Sequence, residues 1–160
     1  MRDGRGGYTL VELMAVVAVL GVMAALGLPR MQALLAHIRT RGALNRVVAD
    51  LAYTRHLAVR TGRTAALQVE PSGDCPAPDN GVSGHRYRIV VAGPDSVAAR
   101  VDLRLDAGRV CLTSNQSARV AFNSRGLLAP FNNRTLSVRH GTYPADTLRI
   151  SVVGRMLRRY

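Results

Sequence analysis

The sequence predicts an α+β fold: one long N-terminal α-helix, membrane-spanning in its first half and amphipathic in its second, packed on an antiparallel β-sheet domain. Three observations carry this. From Tyr8 to Leu28 run twenty-one residues of which only Glu12 is charged. Apolar residues then recur at helical spacing through Met31, Leu34, Leu35 and Ile38, and again through Leu44, Val47, Val48 and Leu51. From Arg63 onward the period changes to two, beginning with Ala65, Leu67 and Val69.

Composition bounds the domain count and the core. The chain has 160 residues, and without the apolar run about 130 remain, enough for one modest core. Trp is absent and other aromatics are few, so Val, Leu, Ile and Ala must fill that core. The 22 basic residues, all Arg, outnumber 10 acidic ones. An all-Arg complement reflects coding bias as readily as a ligand, so the position of each arginine matters more than the total of +12.

The first element is the apolar run. About 20 helical residues rising 1.5 Å each cover the roughly 30 Å of a bilayer core. A carboxylate inside such a span costs about 2.5 to 3.5 kcal/mol on insertion scales, so Glu12 needs a partner. Met1 to Gly7 form a polar, Gly-rich flank bearing Arg2 and Arg5, which favours retention of that end in the cytoplasm and places the rest of the chain outside. A secretory signal peptide shares the basic start and apolar region. The unbroken length, Glu12 within the run and the lack of a clean small-x-small cleavage site speak against one.

Gly7-Tyr8-Thr9-Leu10-Val11-Glu12, followed by an apolar run ending at Pro29, resembles the class III leader of type IV prepilins and pseudopilins. The resemblance implies that a prepilin peptidase cuts between Gly7 and Tyr8 and methylates the new N-terminus at Tyr8, where Phe is the usual residue. It also implies that Glu12 pairs with the α-amino group of a neighbouring subunit and sets the register of assembly. That pairing supplies the charge partner that insertion demands; a neutral, protonated Glu12 is the alternative. The implied partners are other pilin or pseudopilin subunits, the prepilin peptidase and the inner membrane. The protein is then a single-pass inner-membrane precursor with its C-terminal domain outside the cytoplasm, later part of a pilus or pseudopilus. The divisions are a leader at 1–7, an assembly helix at 8–28, an amphipathic half at 29–62 and a β-rich domain at 63–160.

The amphipathic half places Arg30, Arg39, Arg41, Arg46 and Arg55 between its apolar positions, toward solvent. Bends are expected at Pro29, which lacks an N–H and crowds the preceding turn, and at Gly42.

Beyond it the alternation predicts seven short strands. They cover Ala65 to Val69, Arg86 to Val91, Ala99 to Leu105, Arg109 to Thr113, Ala118 to Asn123, Thr135 to Arg139 and Thr147 to Val153. A loop rich in Pro, Gly, Asp and Asn from Pro71 to Gly84 contains Cys75. Cys75 and Cys111 bridge if the domain is exported and stay reduced if it is cytosolic. Two cysteines without a nearby His pair argue against zinc, and no metal or cofactor is expected.

Two further segments, Phe122-Asn123-Ser124-Arg125-Gly126 and Ser151-Val152-Val153-Gly154-Arg155, resemble those of the GspH/FimT group of minor pilins and pseudopilins. The group includes the H-type pseudopilin of type II secretion and FimT-like pilins that bind DNA during natural transformation. A Gly-Arg-x-Arg pattern at the C-terminus marks the DNA binders. Here Met156 and Leu157 both separate Arg155 from Arg158, so the match is imperfect. Arg149, Arg155, Arg158 and Arg159 are the candidate DNA-binding residues, expected on a mobile tail freed by Gly154, with Tyr160 available to stack on a base. A solvated basic tail is the competing reading. Leader cleavage would remove two arginines and one aspartate and leave a net +11, which favours anionic lipid as much as DNA.

No catalytic pattern stands out. His37, His56, His85 and His140 are scattered, and only His85, near Ser83 and Asp79, suggests a hydrolytic grouping. No nucleophile elbow, phosphate loop or carboxylate pair accompanies it, so an enzyme is not expected.

Overall fold

Thr9 starts the long helix. Its hydroxyl accepts from the Glu12 N–H at 3.3 Å, and its carbonyl accepts from the Leu13 N–H at 3.2 Å. This is an N-cap: a short hydroxyl side chain satisfies one of the donors that the first turn leaves without an intrahelical partner. Helix α1 then runs from Leu10 to Thr61. It passes through both Pro29 and Gly42 as one element. The computed structural model describes residues 8–79, 81–93, 97–143 and 145–159. The chain divides into two units, 1–35 and 36–160.

The first unit is helical from Leu10, and its apolar side chains are exposed throughout, from Leu10 through Leu20 to Leu35. The sequence expectation of a covered apolar face from Met31 to Ile38 is corrected here. Met31, Leu34, Leu35 and Ile38 are all exposed, and burial along the helix begins instead at Ala36.

In the second unit Ala36, Thr40, Ala43, Leu44, Val47, Leu51, Thr54 and Ala58 are buried. Their spacing of three and four residues draws one stripe along the helix. Thr40 and Thr54 fit this apolar stripe because each hydroxyl donates to the carbonyl four residues back, at 2.9 and 2.6 Å.

The stripe faces ten strands: β1 (Ala65–Glu70), β2 (Val82–Gly84), β3 (Arg86–Val91), β4 (Val97–Asp102), β5 (Val110–Ser114), β6 (Arg119–Phe122), β7 (Leu128–Ala129), β8 (Arg134–His140), β9 (Asp146–Ile150) and β10 (Met156–Arg159). They form two antiparallel sheets in the orders β4-β3-β1-β6-β7 and β10-β9-β8-β5-β2. Leu67, Ile89, Val120 and Phe122 from the first sheet join Leu112, Leu136, Leu148 and Ile150 from the second and Leu44, Val47 and Leu51 from α1 in one core. Tyr87 is buried in the same core, and its hydroxyl donates to Asp50 on α1 at 2.5 Å. This gives the buried polar tip a hydrogen-bond partner.

The seven expected strands are present, β3 with the expected ends and the others with shifted ones, and three were missed. The Ala99 to Leu105 expectation is corrected: β4 ends at Asp102, which caps a short helix α2 (Leu103–Ala107) by accepting from the Arg104 N–H at 2.9 Å. Leu103 is buried while Leu105 is exposed, so an alternating pattern in the sequence is realised as a helical turn. β2 lies inside the expected Pro71 to Gly84 loop, and β7 and β10 are too short to show two-residue alternation.

The second sheet passes the chain to the first across one residue. β2 belongs to one sheet and β3 to the other, with His85 alone between them. Gly84 permits this corner, because a Cβ there would sit 1.8 Å from the Glu70 carbonyl oxygen.

Truncating the helix stripe should unfold the domain while surface charges should not matter. Leu51→Ala is expected to cost about 2 to 5 kcal/mol, and Arg86→Ala, which breaks an exposed pair with Glu70 at 3.7 Å, less than about 1 kcal/mol. Denaturant titration of the full-length chain in detergent, followed by tyrosine fluorescence, measures both.

Candidate functional site

Three places carry the residues singled out from the sequence: the start of α1, the corner at His85, and the hairpin that ends the chain.

At the start of α1, Tyr8 is 86 % exposed and Glu12 is also exposed. Gly7 lies outside the described residues. Glu12 occupies the third helical position after the Thr9 cap, where the positive end of the helix dipole favours a carboxylate. The Thr-x-x-Glu spacing is a capping signal readable in the sequence, and the sequence reading missed it. The helix that follows is long and apolar enough to cross a membrane, with none of its most apolar window buried.

At the corner, Cys75 and Cys111 form a disulfide with Cα atoms 5.7 Å apart. It ties the loop after β1 to β5. The imidazole of His85, buried at the sheet crossing, lies against this bridge, with Nε2 3.4 Å from the Cys75 sulfur. Its Nδ1 donates to the Val110 carbonyl at 2.7 Å, which fixes the tautomer. Among the described residues no hydrogen bond joins His85 to Ser83 or Asp79. The Ser83 hydroxyl bonds to that of Thr113 at 2.8 Å instead. The donor atoms of Cys75, His85 and Cys111 lie within 4.8 Å of one another, but the bridge takes up both sulfurs and leaves the imidazole as the sole metal donor of the three.

The C-terminal segment departs most from expectation. Gly154, with φ of 78°, does not free a mobile tail but turns it back into the sheet. Its N–H donates to the Ser151 carbonyl at 2.8 Å, the Ser151 N–H donates to Arg155 at 2.9 Å, and the Ser151 hydroxyl accepts from the Arg155 N–H at 3.1 Å. β10 then pairs with β9, Leu157 opposite Arg149 and Arg158 opposite Leu148. Cross-strand partners share a face, so Arg149 and Arg158 fall on opposite faces of the edge. Arg149, Arg155 and Arg158 are all exposed. Arg159 stands opposite Thr147 at the end of β10, and Tyr160 lies outside the described residues.

The two short motifs meet at a residue that the sequence reading assigned to solvent. Asn123 accepts at its side-chain oxygen from the N–H groups of Arg125 and Leu127, both at 3.0 Å, and closes the turn at Gly126. A Cβ on Gly126 would lie 2.9 Å from Arg55 Nε, and one on Gly154 would lie 3.2 Å from Arg55 Cζ and 3.1 Å from the Gly126 carbonyl. Half-buried Arg55 therefore lies across both glycine turns, and φ of 73° at Gly126 and 78° at Gly154 disfavours any side chain at either position.

An exposed N-terminal apolar helix of membrane-spanning length, followed in the chain by a two-sheet antiparallel domain, fits a membrane-anchored protein of the pilin type. Residues 2–28 match the prokaryotic N-terminal methylation motif. Residues 43–154 match the model of the type II transport protein GspH, and the chain belongs to the GspH family. The fold is similar to that of the type IV minor pilin FimU of Pseudomonas aeruginosa strain PAO1. One crystal form gives a TM-score of 0.60 at 23% identity over 78% of this chain and 90% of that one. A second gives 0.55 at 22% identity over 75% and 92%. Among curated proteins no match is found.

The bridge spans a sequence separation of 36, for which the chain-entropy relation gives about 3 to 4 kcal/mol of stabilisation. Reduction with a phosphine is expected to lower the denaturation free energy by that amount. A free-thiol assay on the native chain should detect neither cysteine.

Proposed function

We propose that this chain is a minor pilin or pseudopilin incorporated near the tip of a filament, processed by prepilin peptidase between Gly7 and Tyr8 and methylated at Tyr8. The observation that carries the reading is the exposed apolar half of α1, with one carboxylate in its first turn, in a member of the GspH family. In the precursor the membrane covers that surface, with the β-domain outside the cytoplasm, in the periplasm of a Gram-negative cell. In the filament the helices of neighbouring subunits cover it instead. Glu12 then accepts the N-terminal cation of a neighbour, which fixes the axial register because a one-turn slip would leave both charges unpaired in an apolar bundle. The Thr9 cap holds the first turn rigid, so the carboxylate is presented at a defined height.

In this reading the C-terminal hairpin binds DNA through Arg149, Arg155, Arg158 and Arg159. Exposure of the first three supports it. Paired strands lower the entropy cost of holding guanidinium groups on phosphates compared with a loose tail. A second reading is an H-type pseudopilin of type II secretion without DNA binding, favoured by the description of the matching family.

Glu12→Ala is expected to abolish incorporation into filaments while the membrane precursor accumulates normally, as measured by immunoblotting of sheared filaments and membrane fractions. Unchanged incorporation would refute the charge pairing. For DNA, the full-length chain in nonionic detergent should bind duplex in a salt-dependent manner, measured by fluorescence anisotropy. Replacing Arg155, Arg158 and Arg159 by Ala should flatten the log–log salt dependence by about 1 per lost phosphate contact. An unchanged slope favours the pseudopilin reading.

A further inference from the structure

The outer face of the second sheet carries a groove of mixed polar and apolar lining that the filament and DNA readings do not use. Cross-strand register defines its floor. Thr113 of β5 stands opposite Ser137 of β8, Cys111 opposite Arg139, and Thr135 lies beside Asn115, whose side-chain oxygen accepts the Thr135 N–H at 3.0 Å. These positions alternate with the buried Leu112, Ser114, Leu136 and Val138, so they share the face away from the core. Pro76, Ala77 and Pro78 form a wall on one side, and the disulfide described above holds their loop to β5. The enclosed volume is about 1100 Å³.

Its chemistry is uneven along its length. At one end lie the exposed Arg109 and Arg139, neither of which has an ion-pair or hydrogen-bond partner among the described residues. Arg104 also lines the groove but is engaged by Asp74 at 2.6 Å. At the other end lie the hydroxyls of Thr135 and Ser137, half-buried and likewise without partners among the described residues, and the exposed amide of Asn115. From Thr135 to Arg139 the floor runs four residues of β8, about 13 Å at 3.3 Å per residue. Asp74, already paired with Arg104, is the one carboxylate among the residues lining it.

We propose that this groove binds an extended acidic peptide segment of another protein. Hydroxyl and amide groups both donate and accept, which matches a peptide backbone with an N–H and a C=O per residue. Two free guanidinium groups at one end match carboxylate side chains at the corresponding end of the segment. A nucleic-acid strand fits less well. Its phosphates only accept, and among the described residues the one aromatic ring lining the groove, that of His85, is buried against the disulfide and offers no open face to a base.

The test uses the full-length chain in nonionic detergent and a fluorescein-labelled peptide of alternating Asp and Gly, read by anisotropy. A peptide of alternating Lys and Gly and an oligothymidylate of equal charge are the controls. The Asp peptide should bind and the Lys peptide should not. The uncharged double substitution Thr135→Val with Ser137→Ala should weaken the Asp peptide about tenfold through two lost hydrogen bonds, and Arg139→Gln about fivefold. An unchanged denaturation midpoint in each variant shows that the fold is kept. No binding of the Asp peptide overturns the proposal. So does binding that survives the hydroxyl substitutions, which would reduce it to net charge. Oligothymidylate bound as tightly and weakened by the same substitutions would overturn it in favour of nucleic acid. Substituting Arg155 and Arg158 should leave peptide binding unchanged, which separates this groove from the hairpin.

Discussion

Contact between one stripe of α1 and both sheets is the constraint on which the rest of the domain depends. Neither sheet could bury its inner face alone: the first brings Leu67, Ile89 and Phe122, the second Leu112, Leu136 and Leu148, and Leu44, Val47 and Leu51 fill the space they share. A core made almost without aromatics has few large side chains to fill gaps, so shape must come from many small aliphatic ones. That is why alanines at positions 43 and 58 are as fully buried as the leucines.

The parts of this fold that were legible in the sequence are those in which one rule acts alone. A membrane-length apolar run, an i, i+3, i+4 stripe around Leu44 to Leu51 and strict alternation in Leu136 and Val138 each report a single periodicity. Where two rules compete, reading failed. Val101, Leu103 and Leu105 alternate like a strand, yet Asp102 caps a helix in their midst. Gly154 was read as a release point because glycine marks both flexible tails and tight left-handed turns. Only pairing with β9 decides between them. Arg55 was assigned to solvent by its charge, whereas its long stem covers two glycine turns.

The site residues divide in the same way. Tyr8 and Glu12 belong to a contiguous motif and could be read directly. The groove could not, because its floor is assembled from β5 and β8, more than twenty residues apart, and the hydroxyls on it are ordinary residues until register aligns them. The cysteines were an intermediate case. Their pairing followed from the expected compartment, but the burial of His85 against them depends on a one-residue crossing between sheets.

Arg55 has a mechanical meaning. It sits on the same helix that carries the apolar anchor, yet it bears on Gly126 and Gly154, the second of which turns the chain into its last strand. The turn into the final strand, remote from α1 along the chain, thereby packs against it. A pull transmitted along this helix meets, besides its buried stripe, a contact with the turn that opens the last strand.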